Sequence, residues 1–361
     1  MRKSLFPSLC LIIAFSMLSQ VQAGPARPGQ ERVLKLIEVM RIPGEGPGYV
    51  LQGVSTLEID RDGNLYTCDS FSSGQKSHLL KFSADGRFVK DLYRQGQGPG
   101  EIESMYDFKV AGSDLYLFDF MKRKVVVQDT EGKFKAEYKR PDWAFGDFLG
   151  THGDWLVFSR KNYPLERKNT GLYDIKHSIV WLAKDGSVEK EGLVFSNREF
   201  LISMSQGGGI MAWDPFTAVI GDGRIYVNST QEYQVQVLDL TTGKVIHTLK
   251  REYPRIKHVA RDREKSFVSR FNAPTRKYEN DIAGLFFGGG FLWIRTSSTS
   301  KDKGTLFDLF DADGRFADSF YINLKGSVIR IENGFLYGSL LDADDLPVLV
   351  KYRIDEPLGI R

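Results

Sequence analysis

Apolar and polar positions in this chain alternate in short bursts, and a recurring turn separates the bursts. Ala84-Asp85-Gly86-Arg87-Phe88, Thr130-Glu131-Gly132-Lys133-Phe134, Lys184-Asp185-Gly186-Ser187-Val188, Thr241-Thr242-Gly243-Lys244-Val245 and Ala312-Asp313-Gly314-Arg315-Phe316 are variants of one hairpin. Glycine permits positive φ there, and Asp or Thr bonds back onto the local backbone. A second tight turn lies upstream of each, as in Arg61-Asp62-Gly63-Asn64, Gly221-Asp222-Gly223 and Glu332-Asn333-Gly334. It leads into branched and aromatic runs such as Leu65-Tyr66-Thr67, Leu115-Tyr116-Leu117-Phe118, Ile225-Tyr226-Val227, Phe291-Leu292-Trp293-Ile294 and Phe335-Leu336-Tyr337. Such runs bounded by turn residues signal strands. A supersecondary unit recurring along the whole chain signals a repeat architecture.

Each unit predicts four strands, a to d, with tight a–b and c–d turns. In the first unit these cover about Val54–Asp60, Leu65–Asp69, His78–Ser83 and Arg87–Tyr93. Later units centre near 105–139, 146–195, 214–251, 281–322 and 327–354. The sixth has a, b and c (Val348–Ile354) but no d strand of its own. The run Val33–Met40 is strand-like, and the glycine- and proline-rich tail after it matches the segment after strand d of the first unit. This is a fourth strand without an a, b or c. Pairing it with the sixth unit closes a ring and removes an exposed edge. The pattern predicts an all-β, six-bladed β-propeller of four-stranded antiparallel blades. The N-terminal strand closes the last blade, and the propeller occupies 33–361.

Composition adds the destination. Arg2 and Lys3 precede an apolar run, Leu9–Leu18, that is too short to span a bilayer, and Val21-Gln22-Ala23 offers a small-residue cleavage site. Residues 1–23 are expected to be a signal peptide and 24–32 a flexible N-terminal segment, giving an exported protein, periplasmic or extracellular, with no stable membrane insertion after cleavage. The 361 residues carry 49 Lys+Arg and 46 Asp+Glu; loss of Arg2 and Lys3 leaves 47 against 46, a net charge of +1. That balance is not the footprint of a nucleic-acid binder. Only Cys68 remains after cleavage, so no internal disulfide can form and the core must hold the fold.

One pattern points to a family. Leu57-Glu58-Ile59-Asp60, Asp62-Gly63-Asn64-Leu65-Tyr66 and Asp69, followed by Leu80-Lys81-Phe82 and Asp85-Gly86-Arg87-Phe88, resembles an NHL-type repeat. The run Gly96-Gln97-Gly98-Pro99-Gly100-Glu101 is similar to a group of secreted bacterial six-bladed, TolB-like propellers. The resemblance is specific in the first two blades and degenerate later, where Ser159, Asn228, Arg295 and Ser339 stand in place of the Asp that ends strand b.

The a–b and c–d turns share one face of the disc and are short. The connections on the other face are long, at Asp69–Ser77, Arg160–Ile175, Asn197–Ala212 and Arg251–Asn280. Long loops in a compact domain are usually functional, so a site is expected on that face. Arg140, Trp143, Arg160, Tyr163, Arg198 and Trp213 are the candidate contacts, because arginine and aromatic side chains dominate binding surfaces. The last excursion carries a helical pattern near 255–271, started by Pro254 with Ile256, Val259, Phe267 and Phe271 as its stripe. It reads equally as a lid over the channel or as a helix lying on the propeller wall.

Some propellers of the resembled kind are metal enzymes. The five histidines sit on different strands and faces and do not form a ligand set. Lactonase-like propellers hold calcium with channel carboxylates and amides; Asp107, Asp147, Asp214 and Asp281, near the starts of a strands, are the residues that could do so here. No Gly-x-Ser-x-Gly elbow supports a hydrolase nucleophile. The sequence therefore favours a monomeric, non-catalytic binding or scaffold propeller without a cofactor, recognising a protein, peptide or glycan. The alternative is a channel-centred lyase or lactone hydrolase using calcium.

Overall fold

The computed structural model describes residues 20–23, 32–68 except 52 and 55, 77–139 except 120, 146–163, 169–185, 187, 189–203, 205, 209–356 and 358. Six antiparallel sheets are arranged as the blades of a propeller. Blade 1 comprises Thr56–Ile59, Leu65–Cys68, Leu79–Phe82 and Phe88–Asp91, and blade 2 comprises Met105–Ala111, Asp114–Asp119, Lys124–Asp129 and Phe134–Lys139. Blade 3 is longer: Phe148–His152, Trp155–Asn162, Gly171–Ala183 and Glu189–Ile202, with a fifth strand, Gly209–Ala212, on the end of strand d. Blade 4 comprises Thr217–Gly221, Arg224–Asn228, Gln234–Asp239 and Val245–Arg251, and blade 5 Ile282–Gly288, Phe291–Ser300, Gly304–Phe310 and Phe316–Ile322. Blade 6 takes strands a to c from Gly326–Glu332, Phe335–Leu341 and Pro347–Ile354. Its fourth strand is the N-terminal Leu36–Ile42, antiparallel to Pro347–Ile354 from the pair Leu36–Ile354 to the pair Ile42–Leu349. The ring closes as the repeat arithmetic requires. Strand a of every blade touches strand a of both neighbours.

The turns explain the local order. Gly86, Gly132, Gly243 and Gly314 of the c–d turns have φ between 71° and 86°, where any side chain is strained. Asp60 Oδ1 accepts the backbone N–H of Asp62 and of Asn64, and Asp129 Oδ1 that of Glu131 and of Lys133. These are the back-bonds that make Asp-Gly turns local instructions.

The core is not one mass but six joints. Tyr66, Leu79, Phe108 and Leu117 fill the space between blades 1 and 2; Phe118, Phe148 and Phe158 that between 2 and 3; Trp181, Ile225 and Leu238 that between 3 and 4. Val235, Leu249, Leu285 and Phe310 pack between blades 4 and 5, Trp293, Phe320 and Leu336 between 5 and 6, and Ile42, Leu57, Phe82 and Leu349 between 6 and 1. Each sheet is covered on both faces, so its middle strands are continuous apolar runs.

Two expectations change, and a third falls mostly outside the described residues. The supposed loops Arg160–Ile175 and Asn197–Ala212 contain strand at 160–162, 171–175, 197–202 and 209–212: strands c and d of blade 3 run on beyond the disc on the long-loop face. The helix, α1, spans Asp262–Phe271 and begins at neither Pro254 nor Ile256; Val259 lies outside it and is exposed. Its Phe267, Val268 and Phe271 pack on Phe200, Ile202 and Ala273, so it braces the projection of blade 3. Of the segment 24–32 only Arg32 is described; it is held by Asp318 and Glu356, while 24–31 and 1–19 lie outside the described residues. Gln20–Ala23 adds in parallel to the outer strand of blade 4.

Candidate functional site: the central channel

The first strands of all six blades enclose a channel of about 540 Å³. That size lies within the range of small-ligand cavities. One register within it is informative. Opposite Tyr66, Tyr116, Tyr226, Trp293 and Tyr337 of strand b stand Glu58, Lys109, Val219, Phe286 and Arg330 of strand a. All five line the channel, with Gly150 from blade 3. The charged members come from consecutive blades, 6, 1 and 2; the others are small or apolar.

The charges form an alternating chain. Arg330 Nε donates to Glu332 Oε2 at 2.7 Å, and its NH1 lies 3.1 Å from Glu58 Oε2. Lys109 Nζ lies 3.4 Å from Glu58 Oε1 and 3.2 Å from Asp107 Oδ2. Burial pulls Lys109 down, but the Asp107 and Glu58 carboxylates more than offset it and raise its pKa. It is thus a protonated donor, not a free amine. Burial raises Asp107, with Lys109 opposing and Glu58 adding to the rise. Arg330 is raised because Glu58 and Glu332 outweigh its own desolvation.

Asp147 completes the polar part. Its N–H donates to Ser159 Oγ at 2.8 Å and its carboxylate accepts from that hydroxyl at 3.3 Å, but it makes no ion pair among the described residues. Asp107 and Asp147 come near the starts of strands a, toward the long-loop end. Toward the short-turn end the walls are Ala111, Thr151, Ile220, Phe287 and Ile331. The channel has a polar, partly acidic mouth, a charged arc on one side and an apolar wall opposite.

The sequence-derived candidates fall into three groups. Asp107 and Asp147 share the channel. Asp214 and Asp281 do not join them: Asp214 takes a forked pair of bonds from Arg198, both 3.1 Å, and Asp281 accepts the Tyr233 N–H at 3.0 Å and lies 3.4 Å from Arg255 Nε. Burial raises Asp281 despite Arg255. Among the described residues, no three carboxylate, imidazole or thiol groups gather in a way that could hold a metal ion. Arg160 bonds Glu189, Glu191 and, at 3.2 Å, Ser178 Oγ; Tyr163 donates to Glu199 at 2.7 Å; Trp213 is buried under the Arg276 guanidinium, 5.6 Å from its ring. Arg160 ties strand b to strands c and d within blade 3, while Tyr163, Arg198 and Trp213 hold its projection together. Arg140 and Trp143 lie outside the described residues.

Glu58, Lys109 and Arg330 were not among the candidates. Their signal was present: Leu57-Glu58-Ile59, Phe108-Lys109-Val110 and Ile329-Arg330-Ile331 each place a lone charge between apolar residues, just before an a–b turn. Of the acidic residues that end strand b, Asp69 lies outside the described residues and Asp119 is structural. Asp119, fully buried, accepts backbone N–H groups of Glu103, Ser104, Met121 and Lys122, tying two connections to the blade.

The geometry defines a six-bladed β-propeller with a charged, open channel. A family profile, DUF5128, described as a 6-bladed beta-propeller, matches residues 48–220. Two solved structures share the fold. A candidate exported protein of Bacteroides fragilis aligns at 13% identity and a TM-score of 0.57, over 94% of this chain and 100% of that one. A DUF4221 family member of Bacteroides vulgatus aligns at 11% identity and a TM-score of 0.57, over 91% and 100%. No curated protein matches the sequence. No helix among the described residues is long and apolar enough to cross a membrane.

Proposed function

We propose that this is an exported, non-catalytic binding propeller of the NHL/TolB-like kind, which recognises a protein, peptide or glycan through its long-loop face. The contact centres on the channel mouth, and Arg140 and Trp143, outside the described residues, stay among the candidate contacts of that face. The observation that carries the reading is the channel itself: an arc from Arg330 to Asp107 opposite an apolar wall, with Asp147 at the opening, bonded to Ser159 and without an ion pair among the described residues. A few placed polar groups in an otherwise apolar cavity give orientation and selectivity. The lone Asp147 favours a ligand that presents an ammonium group or hydroxyls. Export rests on the basic start and short apolar run of the leader.

The test is a glycan array and a peptide library probed with the protein and with Asp147→Asn. Asp147 pairs with no cation among the described residues, so the variant should keep its melting temperature. A genuine channel ligand should bind the variant about tenfold more weakly, the worth of one charge-assisted hydrogen bond. Equal binding to both proteins would overturn the site. A melting temperature that rises with calcium, and no longer does so in Asp147→Asn, would favour the calcium-dependent lyase or lactone hydrolase instead.

A further inference from the structure

Two inter-blade joints differ in one cation. In blade 1, Lys81 stands opposite Tyr66 on strand b, its ammonium 5.7 Å from the ring centre. It reaches the c–d turn of blade 2, donating to Thr130 O at 2.9 Å and Glu131 Oε1 at 2.6 Å. Lys90, opposite Lys81 on strand d, grips the other oxygen of the same carboxylate at 2.7 Å. In blade 6, Lys351 stands opposite Tyr337 in the same register, with Met40 where blade 1 has Lys90. The turn it should reach is Ala84-Asp85-Gly86 of blade 1. Asp85 is one methylene shorter than Glu131 and is held by Ser83 at 2.5 Å and by Arg87 at 2.9 Å. Lys351 therefore has no carboxylate partner among the described residues; its ammonium rests 4.2 Å from the Phe335 ring centre. Where the missing clasp would lie there is a cavity of about 340 Å³, lined by Val39, Met40, Phe335, Ala84, Asp85, Lys351 and Arg353; the Asp85 carboxylate in its wall is already engaged by Ser83 and Arg87.

We propose that this joint is a second binding site, for a small carboxylate bearing a short apolar tail. The ligand's carboxylate takes the place that Glu131 takes on Lys81. The tail lies on Met40, Val39 and the Phe335 ring. A cation over an aromatic ring, in a half-buried pocket whose one carboxylate, Asp85, is taken up by Ser83 and Arg87, gains most from an anion that brings its own apolar cover. Burial also lowers the Lys351 pKa, as expected for an ammonium that lacks a carboxylate.

Octanoate, below its micellar concentration, is the probe, with acetate and octylammonium as comparisons, read by titration calorimetry on the full chain. Octanoate should saturate one site. Acetate should bind at least about tenfold more weakly and octylammonium not at all, since the pocket needs both tail and negative charge. Lys351→Gln should weaken octanoate by about tenfold, the loss of one charged hydrogen bond. Asp85→Glu supplies the clasp from within the chain; it should raise the melting temperature and exclude octanoate. No octanoate binding, acetate binding as tight as octanoate, or octanoate binding unchanged in Lys351→Gln would overturn the proposal.

Discussion

The ring and the projection of blade 3 are built from the same four-strand unit but are held by different means. Around the ring, each sheet has two apolar faces pressed between neighbours, and one joint adds a buried polar lock. Between blades 4 and 5, fully buried Asp308 accepts from Tyr233 Oη and Ser319 Oγ, both at 2.7 Å, and pairs with Arg251 at 2.5 Å. The projection has no neighbouring blade. Its strands Gly171–Ala183 and Glu189–Ile202 outrun the disc and are covered by one short helix, through Phe200 and Ile202. At its root, Glu199 accepts from Tyr163 and lies 3.3 Å from His177 and 3.6 Å from Lys161. Burial pushes Glu199 up, but the nearby His177, the bond from Tyr163 and the Lys161 charge outweigh that and lower its pKa. The lesson is that a ring shares its stability among all joints, whereas an outgrowth depends on its own local bonds and one helical cover.

This difference can be broken in the ring first. Asp308→Ala leaves the Arg251 guanidinium buried without a counter-charge and should cost about 3–5 kcal/mol, read by denaturant unfolding of the whole domain. A loss below about 1 kcal/mol would mean that the joint does not need its lock. Phe200→Ala should remove about 3 kcal/mol of packing, but locally. Hydrogen exchange should show lost protection over Asp262–Phe271 and Gly209–Ala212, with ring amides unchanged. A uniform loss across all blades would show the projection to be part of the ring's cooperative unit. The smallest effect concerns the clasp between blades 1 and 2. Bonds from Lys81 and Lys90 hold the Glu131 pKa down to about 2, from an ordinary value of 4.5. A carboxylate lowered on folding adds stability above its unfolded value and loses it as pH falls through the folded one. Melting temperatures followed from pH 4.5 down to about 2 should therefore fall less in Glu131→Gln than in the parent, and only slightly less, because Glu131 is mostly exposed. An identical slope would show that the clasp adds nothing.

Much of the ring was legible in the chain because its information is local. A positive-φ glycine after Asp or Thr makes a turn wherever it falls, and a sheet buried on both faces writes continuous apolar strands. The closing strand was legible because a d strand without its own unit must pair with a unit that lacks one; the structure shifts it only from Val33–Met40 to Leu36–Ile42. The site was less legible because its residues are neighbours only across blades. Arg330 and Glu58 are far apart in sequence and 3.1 Å apart at their closest oxygen and nitrogen. A lone charge in a strand says nothing about which charge will face it round a channel. Charged and aromatic residues in supposed loops, such as Arg160 and Tyr163, suggested contacts with a partner, yet tertiary structure gave them internal partners by prolonging the strands beneath them. Turn chemistry and burial periodicity lie within a few residues and are set by the sequence alone; ion pairs, cavities and the vacant clasp beside Lys351 depend on how separate repeats meet, which only the closed ring decides.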